Sequence, residues 1–179
     1  MGFNLERFKK AQEKDYFRAL EEIRNGYKES HWMWYIFPQI SGLGFSSTAR
    51  FYAISSMQEA RDYYAHPVLG KRLVEISEAL LALDTNDAAA VMGYPDDLKL
   101  RSSMTLFLAA SGDAVFQKVL DKFYSGKPDS KTLSILGLYT QHTERFSQTA
   151  LFFMRKCELS VDFRRFGVYS FNVVFKFRL

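Results

Sequence analysis

The chain is short of the residues that point quickly to a chemistry: one cysteine, three histidines, four prolines and ten glycines among 179 residues. The lone thiol, Cys157, closes no intramolecular disulfide and has no second thiol with which to hold a metal. His31, His66 and His142 stand 35 and 76 residues apart, with no HExxH, paired cysteines or Asp-rich calcium loop beside them. No metal and no cofactor is implied. Also missing is any uncharged apolar run near the roughly 18–20 residues that a membrane span needs. The opening MGFNLERFKK is charged where a secretory signal carries its apolar core, so the expected compartment is the cytoplasm. Disorder is excluded as well, because 47% of residues are hydrophobic against 25% charged, and a domain of this size buries roughly 70% of its unfolded surface.

An excess of one charge is absent from most of the chain. Residues 1–137 hold 17 basic and 17 acidic side chains, so the net +4 sits entirely in residues 138–179. In the body the signs alternate, as in Glu6, Arg7, Lys9, Lys10, Glu13, Lys14 and Asp15, the pattern of solvated helix faces and not of a phosphate-tracking groove. Nucleic acid is accordingly not the expected partner of this part.

What is present is helix punctuation. Asn4 is placed to cap a first helix carrying Leu5, Phe8 and Ala11, and Asp15 a second that buries Phe17, Leu20 and Ile23 and stops at Asn25-Gly26. The run SHWMWYIF (30–37) is apolar on both faces. Periodicity alone leaves strand or helix open, but a serine at its start and Pro38 past its end suit a short buried helix. Ser56 to Glu59 reads as a capping box, His66-Pro67 opens a long helix with Leu69, Leu73, Ile76, Leu80 and Leu83 inward, and Asp84 opens an alanine-rich one ended by Gly93. Asp96 and Asp97 lie at the positive end of another helix, followed by two more. The expected fold is all-α, an irregular multi-helix bundle of eight or nine helices of roughly 7–18 residues.

After Gly137 the grammar changes. Residues 138–179 contain no proline and one glycine, alternate in a strand-like way from 159 to 177, and mix Arg155, Lys156, Arg164, Arg165, Lys176 and Arg178 with eight phenylalanines. The domain is therefore set at 1–137, with 138–179 an atypical basic and aromatic extension. A partner-binding extension or an altered reading frame, poorly ordered in either case, is favoured over a folded hairpin.

Three segments carry candidate chemistry. GLGFSS (42–47) imitates a dinucleotide fingerprint, but Ser47 replaces the third glycine and Pro38-Gln39 interrupts the preceding run, which leaves a turn with a serine cap or a small anion cradle. In 96–105, Lys99, Ser102 and Ser103 share a helical side that Asp96 begins, so that these hydroxyls either grip a polar ligand or satisfy the bundle interior. Trp32 and Trp34 diverge by about 200° on a helix, one to the core and the other free to wall a pocket edged by His31 and Gln39.

The phrases SHWMWYIFPQ (30–39), GLG (42–44), HPVLG (66–70) and KLRSSMTLF (99–107) together resemble the bacterial "domain of unknown function 1810" family, some of whose members carry a doubtful calpastatin label. The resemblance spans residues 3 to about 137. It implies a small all-helical cytoplasmic protein with a distorted armadillo-like arrangement, and supplies no activity, cofactor or catalytic residue.

The resulting expectation is a monomeric helical domain binding a small polar or anionic ligand, nucleotide-like chemistry included. Its pocket would be bounded by His31, Trp34 and Gln39, by Gly42, Gly44, Ser46 and Ser47, and by Ser102 and Ser103. If it turns a substrate over, hydrolysis is the least contrived reaction, with Asp96 or Asp97 as general base and Lys99 or Arg101 as electrostatic stabiliser. The alternative is a non-enzymatic protein-interaction module.

Overall fold

The structure, a computed structural model, describes residues 3–138. Among these there are nine helices: α1 (Glu6–Arg24), α2 (Met33–Ile36), α3 (Ser47–Phe51), α4 (Met57–Ala65), α5 (Leu69–Ala82), α6 (Ala88–Met92), α7 (Asp96–Ser111), α8 (Ala114–Tyr124) and α9 (Ser130–Ile135). The described residues hold no strand, only an isolated parallel bridge between Ile40 and Ile54. None of their helices is long and apolar enough to cross a membrane. The readings made for the tail beyond Leu138 lie outside the described residues.

Helix α1 is continuous where two helices were expected. Leu5, not Asn4, takes the N-cap position, and Asp15 sits mid-helix. An aspartate there normally competes with the backbone. This one is drawn away, accepting from the Tyr35 hydroxyl at 2.5 Å and pairing with Arg18. The inward stripe therefore runs unbroken through Phe8, Gln12, Tyr16, Ala19, Leu20 and Ile23. Phe17, expected inside, is 74% exposed because Tyr16 occupies the inner position.

Local chemistry sets most other helix ends. The side chains of Ser46, Ser56, Asp87, Asp113 and Asp129 each accept an amide from the first turn of their helix, a contact worth about 1 kcal/mol. Three expected starts and one capping contact are corrected. Glu59 does not close a box on the Ser56 amide but accepts from the Ser55 amide at 2.7 Å and from Arg7 at 2.6 Å. The alanine-rich helix starts after Asp87 and not Asp84. Pro67 precedes α5, whose first amides, Val68 and Leu69, donate to the His66 imidazole at 3.2 and 3.3 Å. Finally α2 starts after Trp32, because the Ser30 amide and hydroxyl are both given to Glu22.

Helix α7 is the hub, packing against α4, α6, α8 and α9. It is buried continuously from Ser102 through Phe107, so no polar face shows in its sequence. Around it Trp32, Phe8, Tyr63, Phe37 and Phe116 are fully buried.

Two carboxylates are built into this interior. Burial pushes Glu22 and Glu59 up, but it is outweighed by donors: for Glu22 the Ser30 hydroxyl and amide, the Glu29 amide and the Trp32 indole; for Glu59 the Ser55 hydroxyl and amide and Arg7. Both end below their ordinary 4.5. A depressed carboxylate contributes stability that is complete above the unfolded value and is lost as pH falls through the folded one. Urea midpoints are therefore expected to fall steadily as pH drops below about 4.5. Glu59→Gln lowers the midpoint at neutral pH and flattens that slope; an unchanged slope contradicts the assignment.

Candidate functional site

The folding brings part of the anticipated site together around Trp34. Its indole is half-buried and lines a crevice with Gln39, Gly44, Ala49 and Tyr52. The Lys99 ammonium lies 5.2 Å from the Trp34 ring centroid. Lys99 in turn meets Asp96 at 2.6 Å, and the other Asp96 oxygen meets Lys28 at 2.7 Å. Lys28 lies 5.2 Å from the Trp32 ring, so one carboxylate ties together two lysine–tryptophan stacks, one at the N-cap of α2 and one within it. Burial raises the Asp96 carboxyl, yet bonds from Lys28 and Lys99 and their charges hold it below its ordinary value. A carboxylate held in this way is a weak proton acceptor at neutral pH.

The remaining anticipated residues are spent on structure or stand apart. Arg101 donates to the carbonyls of Lys127 at 2.9 Å and Pro128 at 3.2 Å, fastening the α8–α9 loop. Asp97 keeps one buried oxygen without a partner, and its carbonyl accepts from the Tyr124 hydroxyl at 2.6 Å. Ser102 donates to the Leu98 carbonyl one turn back, while the Ser103 hydroxyl is buried without a partner. Ser46 caps α3, Ser47 is exposed as its first residue, and Gly42 faces Ile135. His31 is exposed, its carbonyl reached by the Tyr35 hydroxyl at 3.3 Å. At Gly44 an added Cβ would lie 2.5 Å from that of Ala49, so the loop is pressed onto α3. The crevice at Trp34 measures about 10 Å³, room for about one water.

A larger hollow opens on the other side of Tyr52. It measures about 530 Å³ and lies between α1 and the α2–α3 segment, within the range of ~300–1,000 Å³ typical of small-molecule sites. Arg7, Lys10 and Lys14 line it at helical spacing, with the small Ala11 and the carboxylates Glu13 and Asp15 on the same wall. Facing them are Tyr35, Phe51 and Tyr52. Phe51 is 58% exposed and stands edge-on to Tyr52, ring centroids 4.8 Å apart at 85°. Tyr52 also lies 5.1 Å from Tyr35. Burial and the bond to Asp15 push the Tyr35 phenol up, so it stays neutral and donating at physiological pH. None of these lining residues was anticipated from the sequence. The signal was available in the spacing of Arg7, Lys10 and Lys14, but it is visible only once α1 is one helix.

A family model described as "Protein of unknown function (DUF1810)" matches residues 2–136. Among solved structures, the conserved hypothetical protein Rv1873 from Mycobacterium tuberculosis is 43% identical, covering 75% of this chain and 97% of its own length, with a TM-score of 0.74. No functionally curated protein matches the chain.

Proposed function

This chain belongs to the DUF1810 family of proteins of unknown function, and on that premise we propose that it binds a small anionic ligand in the cleft between α1 and α3. The observation that carries the reading is the juxtaposition of two lysines unpaired among the described residues, Lys10 and Lys14, on a wall that also carries Glu13, with aromatic rings on the other, across a hollow of about 530 Å³ in which Arg7 and Asp15 are already paired. Cations and rings together favour an anion that also presents a flat or apolar part. The expected pocket at Trp34 has about one-fiftieth of that volume. We place Trp34, Gln39 and Gly44 behind the binding wall, supporting Tyr52, with which they share the crevice. Binding without turnover is the simpler reading, since Asp96 is committed to two lysines and Arg101 to two carbonyls.

Thermal shift of the full chain against a panel of phosphate-bearing small molecules tests this. A ligand at 100 times its dissociation constant adds about 2.7 kcal/mol to folding stability. Ala11→Leu, which fills the cleft floor without removing charge, is expected to abolish the shift while leaving the unliganded melting temperature nearly unchanged. Stabilisation that survives Ala11→Leu places the ligand elsewhere and overturns the reading.

A further inference from the structure

We propose that the ligand of this cleft is a nucleoside 5′-phosphate, its base held in the corner between Phe51 and Tyr52 and its phosphate by Lys10 and Lys14. The proposal rests on the reading of the cleft as an anion site and goes beyond it by assigning each part of the ligand to its own wall. Several polar groups in the cleft are already engaged. Arg7 is committed to the Ala53 carbonyl at 3.0 Å and to Glu59 at 2.6 Å. Asp15 is committed to the Tyr35 hydroxyl and to Arg18. Lys10, Glu13 and Lys14 also line the cleft, are exposed, and make no ion pair among the described residues. The unengaged set is thus two ammonium groups, one carboxylate and a pair of rings.

Each member of that set matches one part of a nucleotide. Lys10 and Lys14 are one turn apart on α1, a rise of about 6 Å, and so can flank a mono- or diphosphate from one side. A free carboxylate accepts hydrogen bonds only, which suits it to vicinal sugar hydroxyls. Phe51 and Tyr52, at 85° to one another, form a corner in which a planar base stacks on one ring and meets the edge of the other. Inorganic phosphate would leave rings and carboxylate unused, and a nucleoside would leave both lysines unused. Tyr52 is held by Tyr35 at 5.1 Å and by Phe8 at 5.9 Å, so one face of the corner is fixed before any ligand arrives.

Isothermal titration of the full 179-residue chain with ADP, AMP, adenosine and pyrophosphate at one ionic strength separates the claims. ADP is expected to bind roughly 10-fold or more tighter than pyrophosphate, the increment that base stacking supplies. Phe51→Ala, at a ring that is 58% exposed and whose loss is expected to leave the circular dichroism spectrum unchanged, should erase that increment and leave pyrophosphate affinity within about two-fold. Replacing both Lys10 and Lys14 by alanine should weaken ADP and pyrophosphate alike by roughly 10-fold or more. Glu13→Gln should narrow the preference for ADP over its 2′-deoxy analogue. Equal, lysine-dependent affinity for ADP and pyrophosphate overturns the nucleotide assignment while the anion site stands. Adenosine binding as tightly as ADP overturns the phosphate half. No binding of any of the four, or binding indifferent to Ala11→Leu, overturns both proposals.

Discussion

Gly70→Ala is expected to destabilise the protein by about 4 kcal/mol or to prevent it from folding. A Cβ at this position would sit 1.8 Å from the Tyr64 carbonyl oxygen and 2.8 Å from its carbon. Both are backbone atoms of α4, so no rotamer change relieves the clash. Only separation of α4 from α5 does, and these helices also anchor Tyr63 and Leu69 in the core. Helix propensity alone predicts the opposite sign, since alanine in a helix interior is about 1 kcal/mol better than glycine. Gly112→Ala is the control. There φ is +71° and ψ 8°, and nothing lies within 4 Å of the added atom, so only left-handed backbone strain is felt, about 1–2 kcal/mol. Equilibrium urea unfolding distinguishes them; equal losses at the two positions would contradict the close approach.

Glu22→Ala is expected to cost about 3 kcal/mol, which is a large share of the ~5–15 kcal/mol that hold a domain together. One Glu22 oxygen accepts from the Glu29 amide at 2.9 Å, the Ser30 amide at 3.1 Å and the Trp32 indole at 2.6 Å. Removing the carboxylate orphans the indole N–H of a fully buried tryptophan together with two amides of the loop that delivers α2. Glu22→Gln keeps an acceptor oxygen and should cost about half as much, since hydrogen bonds to a charged group are about twice as strong as neutral ones. Because this loop positions Tyr35, Glu22→Ala should also weaken any ligand of the cleft, whereas Glu22→Gln should not. A fall in melting temperature of less than about 3 °C for Glu22→Ala, where about 10 °C is expected, contradicts the role.

Helix ends were the most legible part of this fold because their chemistry is local. The stops at Asn25-Gly26 and Gly93 have their glycines at φ 78° and 72°, and Ser56 caps the helix expected after it. Legibility failed where a tertiary partner competes for the same side chain. Asp15 has the chemistry of a cap, but the hydroxyl of Tyr35, 20 residues away, draws it off, and two expected helices become one. Glu59 is diverted in the same way by Arg7 from 52 residues away. The grouping of Trp34, Gln39 and Gly44 was accessible because the three lie within one short stretch of chain. The arrival of Lys99 over Trp34 depends on how α7 packs, and spacing does not report that. The large cleft was hidden for a further reason. Its cations alternate in sequence with Glu6, Glu13 and Asp15, so that the stretch reads as a neutral solvated face. Only the packing of α2 and α3 against α1 turns part of that face into the wall of a hollow.

The central claim is that the hollow between α1 and α3, and not the Trp34 crevice, receives the ligand. Amide chemical-shift mapping of the isotopically labelled chain with ADP addresses it most directly. The account predicts saturable shifts concentrated at Lys10, Ala11, Lys14, Phe51 and Tyr52, with Ser102 and Ser103 unmoved. Shifts centred on Gly42, Gly44 and Lys99, or none at millimolar ADP, would contradict it.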